Sequence, residues 1–423
     1  FRPQTSKVPA VRSLTPRFGV RHPAPEACYS APFMTHHTAE IIEIIAVLGA
    51  FSSVSYYALC LWSAAGFLRE RKAAGEGTCS TQFVPPVSIL KPLKGTDPEA
   101  YESFRSHCLQ DYPEYEIIFG VSDPRDPAAE LVERLKKEFP QRLIRLMFCP
   151  KNLGTNTKVS NLAQMLAVAR YEYLIVNDSD IRVEPDYLRR VVAPLADPKV
   201  GMVTCLYRGV PGPTLGSRLE SIGISTDFSA GVLAARQLER GIRFGLGSTL
   251  AFRRRDLESI GDFEALADYL ADDYEIGRRI AAQGLEGKLS EVVVETFLPW
   301  YTPREFVDHQ LRWARGVRDS RPWGYVGLGL TFGLPWALLA LVFSGAAWAW
   351  ELLAAVAAMR LATALVVGQL VLKDRQVLRW LGLLPLRDVV ALLVWLVSFT
   401  GHTVSWRGDS FELKRGKLVR IGS

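Results

Sequence analysis

Cysteine and histidine are too few and too scattered in this chain to build a metal cage or a disulfide frame. Six cysteines (Cys28, Cys60, Cys79, Cys108, Cys149, Cys205) occur in 423 residues, with no C-x-x-C and no histidine cluster beside them. That excludes a zinc module and a stapled secreted domain, and fits reduced, packed thiols in a cytosol-facing protein. No G-x-G-x-x-G follows the first predicted strand, and no G-x-x-x-x-G-K-[ST] occurs anywhere. Dinucleotide-binding and P-loop readings lose their support. The nearest approach, Gly245-Leu246-Gly247-Ser248, reads as a tight loop beside a binding cleft. A strong charge of one sign is missing too: the net charge of +6 is dispersed, so no nucleic acid is expected as a partner.

Long apolar runs are present, and they divide the chain. Residues 1–38 show no apolar period and carry Arg2, Lys7, Arg12, Arg17 and Arg21 before the first acid, Glu26. They read as a disordered arm or as non-native sequence upstream of Met34, with a transit peptide as the weaker option. Residues 39–68 are apolar for the roughly 20 residues that a bilayer crossing requires. Arg69, Arg71 and Lys72 follow at once, which places the next domain in the cytoplasm by the positive-inside rule.

Between 86 and 302 the pattern changes to short strands alternating with helices. Strands are expected at Val87–Leu90, Tyr115–Val121, Leu143–Phe148 and Tyr173 onward, separated by helices at 97–110, around Leu131–Phe139, and at 156–169. This is the signature of an α/β fold with a largely parallel sheet. Two strands run out into aspartate, Asp123 and Asp178, on the sheet edge where such folds bind ligands. In Asp178-Ser179-Asp180 the two acids can face one side and grip a divalent cation with a phosphate and waters. The bland alternative is a polar turn that caps the helix after Glu184. Ala271-Asp272-Asp273 opens another helix, where acids suit the macrodipole whether or not they do chemistry.

Residues 303–321 form an amphipathic helix. Phe306, Val307, Gln310, Leu311 and Trp313 lie mainly on one face, with Arg304, Arg312, Arg315 and Arg318 on the other, as expected of a helix lying in a membrane interface. Residues 324–402 are again apolar, with candidate spans at 326–348, 351–373 and 384–401 and with Pro335 and Pro385 marking kinks or re-entrant turns. Residues 403–423 read as a basic tail. Its charges prefer the cytoplasm, whereas an odd number of spans would put it outside, so the parity of the crossings stays open.

Asp123, the D-S-D at 178–180, Ala271-Asp272-Asp273 and His309-Gln310-Leu311-Arg312-Trp313 stand in the order seen in inverting, nucleotide-sugar-dependent family 2-type glycosyltransferases. Lys91-Pro92-Leu93-Lys94-Gly95, Asp111-Tyr112-Pro113 and Asn156-Thr157-Lys158-Val159-Ser160-Asn161-Leu162 make the chain resemble more closely the ceramide glucosyltransferase family and its bacterial relatives, hopanoid-associated glycosyltransferases included. The resemblance runs over roughly residues 40–420. It implies a GT-A fold, a Rossmann-like nucleotide-diphospho-sugar transferase domain, with one N-terminal and about three C-terminal transmembrane or re-entrant helices. It further implies transfer of a hexose from a UDP-sugar to a hydroxyl of a membrane lipid, with inversion. UDP-glucose to ceramide is the first expectation, UDP-N-acetylglucosamine to a hopanoid polyol the alternative, and a processive polysaccharide synthase the weaker one.

By the same resemblance Asp123 contacts the uridine, and Lys158 lies near the nucleotide phosphates. Asp178 and Asp180 hold ribose and the Mn2+ or Mg2+, Asp273 is the general base, and His309, Arg312 and Trp313 close over diphosphate and acceptor. The family's last motif usually carries Gln or Arg where His309 stands. The implied location is an integral membrane protein with its catalytic domain facing the cytoplasm, in a bacterial inner membrane or, alternatively, a Golgi or endoplasmic reticulum membrane.

Overall fold

The computed structural model of the protein describes residues 36–76, 83–406 and 409–421. The arm before residue 36, Cys28, Cys79 and Arg407 lie outside the described residues. The other four cysteines are free and buried.

The α/β domain is built on one eight-stranded mixed sheet. Its strands are β1 (Val87–Leu93), β2 (Tyr115–Val121), β3 (Leu143–Phe148), β4 (Tyr173–Val176), β5 (Ile181–Arg182), β6 (Val200–Val210), β7 (Leu250–Arg253) and β8 (Glu286–Phe297), in the order β3-β2-β1-β4-β7-β6-β8-β5. The first four pair in parallel, joined by helices, as the alternation predicts. Every residue of β1 and β2 is buried, as a sheet covered on both faces demands. Beyond β4 the sheet departs from a largely parallel arrangement: β7 runs antiparallel to both β4 and β6. The antiparallel insertion matters for position, because it brings the start of β7 to the end of β4, with Val176 opposite Leu250.

The anchor helix spans His36–Glu76, 41 residues and so about 60 Å at 1.5 Å per residue, longer than the 39–68 stretch that apolarity alone marks out. Its second half packs on the α/β domain: the Cys60 thiol contacts the Ala230 carbonyl, and Arg236 pairs with Glu70. Its first half packs with the helix Gly333–Ser344, where Trp336 fills the space beside Gly49. That helix forms a pair with residues 322–331, bent by 52° at Phe332. Pro335 lies in the first turn, where its missing N–H costs nothing. Gly345, at φ 60°, ends the helix in the left-handed conformation that a Cβ disfavours. The helix Ala347–Leu365 then leads back to the α/β domain: the stretch after it accepts from Arg71 of the anchor helix at the Leu370 and Val371 carbonyls, both at 2.7 Å, and from Arg208 of β6 at the Leu372 carbonyl at 3.0 Å. Three described helices are long and apolar enough to cross a membrane, the anchor, 347–371 and 381–398, with the bent pair as a further candidate.

The last of these runs beside the amphipathic helix Pro303–Ser320. Near its start Arg387 donates to Gln310 at 2.8 Å, and at its end the Ser398 carbonyl accepts from Arg318. Both ends of Leu384–Ser398 are therefore tied to one helix of the α/β domain's membrane side.

Within the basic tail, β9 (Thr403–Trp406), β10 (Asp409–Lys414) and β11 (Lys417–Arg420) form a three-stranded antiparallel sheet. Val404, Phe411, Leu413 and Leu418 supply its small core. It docks on the α/β domain through backbone bonds, Leu418 N–H to Asp268 O at 2.7 Å and Leu270 N–H to Gly416 O at 3.0 Å. The C-terminal sheet and the α/β domain therefore lie on the same side of the apolar helices.

Candidate active site

Lys158 is the hub. Asn156 caps the helix Thr157–Leu166 by accepting from Val159 N–H, which sets Lys158 in its first turn. The ammonium lies 2.9 Å from Asp178 Oδ1 and 3.0 Å from Asp272 Oδ2. Burial by itself would lower its pKa, but the charges of Asp178, Asp272 and Asp273 override that and hold it above the ordinary lysine range.

Asp178 and Asp180 stand in a turn after β4, not in the strand itself. The Lys91 ammonium, wholly buried at the end of β1, donates to the Asp178 carbonyl at 2.9 Å. Burial pulls that lysine down to about 7, against the opposing charges of Asp180, Asp178 and Asp97. Asp180 accepts from Thr296 of β8. Its carboxyl is pushed up to about 7, first by burial and then by Asp178 and Asp97. Like charges packed this closely make a site that gains from a cation.

The loop Gly245–Ser248, beside the end of β4, links the acid groups. Asp178 N–H donates to Gly247 O at 3.2 Å, and Gly245 N–H donates to Asp273 O at 3.1 Å. A Cβ on Gly247 would fall 2.6 Å from Asp178 Oδ2 and 3.4 Å from Asp273 Oδ2, so this glycine marks where the two carboxylates converge. Asp273 sits in the first turn of Asp272–Ala282 and accepts from Tyr274 N–H at 2.8 Å. Burial, then Asp272, pushes its carboxyl up to about 6, with Lys158 opposing. Among the described residues no three carboxylates, imidazoles or thiols form a self-contained metal cage.

The membrane-facing wall comes from the amphipathic helix. His309 Nε2 lies 2.9 Å from Glu220 Oε1, and its Nδ1 accepts from Arg312 at 2.9 Å. Its ring stacks between Tyr301 and Trp313, each 5.3 Å away between centroids. A ring of charge ties this wall to the apolar helices: Arg360 pairs with Asp388 and with Asp227, and Arg387 reaches Asp227 and Gln310.

The structure thus gathers Lys158, Asp178, Asp180 and Asp273 in one place and sets His309, Arg312 and Trp313 together on one helix. Asp123 is bonded to neither group among the described residues; its partner is Arg125. It is exposed after β2, where the Arg125 backbone N–H holds its carboxyl below the ordinary range. Four participants had no role assigned from the sequence: Asp272 and Lys91, which stood only within their motifs, and Thr296 and Glu220. A lysine inside the apolar strand Val87–Leu93 was a legible signal; Thr296 and Glu220 carry none. A cavity of about 270 Å³ adjoins Lys158 through Thr157, between Lys94, Thr155 and Asp268 on one side and Trp406 and Arg420 of the C-terminal sheet on the other.

The chain is similar to several known proteins. The ceramide glucosyltransferase 3 of Caenorhabditis elegans is 26% identical over 233 residues, 55% of this chain and 50% of that protein. The ceramide glucosyltransferase of Komagataella phaffii is 36% identical over 117 residues, 26% of this chain and 23% of that one. The chain spans half or less of the length of the curated relatives it matches. Among solved structures, the mannosyltransferase of Pyrobaculum calidifontis in complex with GDP-Man and Mn2+ is 21% identical, with a TM-score of 0.49 over 85% of this chain and 99% of that one. The α/β domain and its apolar helices have the architecture that the resemblance implied. The profile of glycosyl transferase family 21 matches residues 45–419, from the anchor helix to the last strand of the C-terminal sheet, and the chain belongs to that family.

Proposed function

We propose that this protein transfers a hexose from a UDP-sugar to a hydroxyl of a membrane lipid with inversion, as a ceramide glucosyltransferase-like enzyme. The observation that carries this reading is the convergence of Asp178 and Asp273 on Gly247, beside Lys158, in a domain pinned to apolar helices. Asp273 is the general base. A carboxyl raised to about 6 is deprotonated at neutral pH yet basic enough to take a proton from an acceptor hydroxyl. Lys158 and Arg312 supply positive charge to the leaving diphosphate, and Asp123 takes the uridine.

Asp178 and Asp180 fit a divalent cation. Both offer hard oxygen donors, their charges repel in a buried site, and the missing Cβ of Gly247 leaves room beside Asp178 Oδ2. When bound, Mn2+ or Mg2+ supplies charge neutralisation to the diphosphate, with phosphate oxygens and water completing a set the protein leaves short.

The membrane arrangement supports a lipid acceptor. Arg69, Arg71 and Lys72 after the apolar run favour a cytoplasmic α/β domain, and the C-terminal sheet shares that side. A return to the same side needs an even number of crossings between residues 321 and 403. The candidates there are 347–371, 381–398 and the bent pair of 322–331 with 333–344, so two of the three cross and the third is re-entrant.

The test is to incubate membranes holding the protein with UDP-glucose plus ceramide and with UDP-N-acetylglucosamine plus a hopanoid polyol, then to analyse the lipids by mass spectrometry. Glucosylceramide supports the reading. A hopanoid glycoside moves the acceptor assignment, polymer that lengthens with time shows a processive synthase, and the absence of any glycolipid overturns the proposal.

A further inference from the structure

Five rings form an arc along the membrane-facing wall: Tyr207–Phe228 at 5.3 Å, Phe228–Trp313 at 6.0 Å, Trp313–His309 at 5.3 Å and His309–Tyr301 at 5.3 Å. One end belongs to the acid site. Tyr207 lies on β6 two residues before Gly209, which pairs with Thr296, the residue bonded to Asp180. The middle belongs to the membrane junction, because Phe228 follows Asp227, the partner of Arg360 and Arg387. A lipid head group that reaches the acids from the bilayer passes this arc.

Glu220 sits behind the arc, 3% exposed. Its Oε1 is 2.9 Å from His309 Nε2, off the line of the N–H; its Oε2 has no well-aligned donor among the described residues, and the neighbouring hydroxyl is that of Tyr301, which interacts with the same carboxylate. His309 cannot turn its other nitrogen to the task. A guanidinium only donates, so Nδ1 is committed as the acceptor for Arg312. A buried carboxylate oxygen left without a donor is costly, and a protein retains one where a ligand satisfies it.

We propose that Glu220 Oε2 accepts a hydrogen bond from the acceptor lipid, from a second donor group (an amide N–H or a further hydroxyl) beside the hydroxyl that receives the sugar. Glu220 is then the residue that selects polar-headed, multiply donating lipids over single alcohols, while His309 steadies the carboxylate from its other oxygen. The inference rests on the lipid-acceptor reading above.

The full chain in nanodiscs is assayed with UDP-glucose and three acceptors: ceramide, its N-methyl, O-methyl analogue with one remaining hydroxyl, and diacylglycerol. The wild type is expected to favour ceramide over both by on the order of 10- to 100-fold in kcat/KM, the range set by one buried hydrogen bond. Glu220→Ala is expected to collapse that ratio by about the same factor, and Glu220→Gln, which keeps an acceptor oxygen, to retain more of it. Equal losses on all three acceptors in Glu220→Ala would mean a structural role, and no preference in the wild type would mean that Oε2 holds only water; either overturns the proposal. Turnover of none of the three acceptors would instead sink the ceramide reading and this inference with it, while the hopanoid arm above still tests a lipid acceptor of another class.

Discussion

Replacing Gly247 by alanine tests the site without touching any charged group. The backbone there lies outside the left-handed region, so a Cβ brings no conformational strain. What it brings is a clash, 2.6 Å from Asp178 Oδ2 and 3.4 Å from Asp273 Oδ2. To regain ordinary contact the Asp178 oxygen has to retreat by roughly 0.5–1 Å. That carboxylate also holds Lys158 at 2.9 Å, so the retreat shifts the cation as well. A displacement of about 1 Å in a positioned catalytic group costs on the order of 100-fold in rate, equivalent to about 2.7 kcal/mol of transition-state stabilisation. Overpacking of this kind lowers stability by about 1–3 kcal/mol. The assay is steady-state transfer from the UDP-sugar beside thermal unfolding of the purified protein, so that the rate loss can be compared with the folded fraction. Gly247→Ala protein that folds and turns over within about threefold of wild type would refute the convergence of Asp178 and Asp273 as the reacting centre.

Four other outcomes follow from the structure. Asp273→Asn is expected to lower kcat by about 10²- to 10⁴-fold with the fold intact, since it removes the base but also one buried like charge beside Asp272; near-normal turnover would displace the base to another residue. A carboxyl is basic only when ionised, so in the wild type kcat/KM should rise with pH through about 6, where burial and Asp272 have moved Asp273, rather than through the ordinary carboxylate range. Chelation of divalent cations should abolish transfer and Mn2+ or Mg2+ should restore it; undiminished activity in chelator would remove the metal from Asp178 and Asp180. Arg360→Met leaves the buried Asp388 without its cation and Asp227 with Arg387 alone, and should destabilise the protein by about 3–5 kcal/mol, read as loss of folded protein in detergent.

Much of the α/β domain was legible because its signals are local. The apolar runs of β1 and β2, the helices between them and the aspartates at the strand ends follow from short-range periodicity and burial on both faces. The antiparallel strand Leu250–Arg253 was not legible: four apolar and basic residues have no period of their own, and they pair because long connections return them to β4. The C-terminal sheet was missed for a similar reason. Its strands are only four to six residues long, and they are fixed by backbone bonds to Asp268 and Leu270 more than 100 residues away.

At the site, the sequence by itself determined which chemical groups exist and in what order: paired acids after a strand, a lysine at a helix start, acids opening another helix, and an arginine-tryptophan pair on an amphipathic face. Only the tertiary structure decided which of them meet. It set Asp178 and Asp273 against the same glycine, made Asp272 the second partner of Lys158, left Asp123 exposed and paired with Arg125, and buried Glu220 behind His309. Those outcomes depend on where an antiparallel strand inserts and on how far burial and neighbouring charge move each proton. Both are properties of the folded chain, because they arise between residues that stand 26 to 114 positions apart in the sequence.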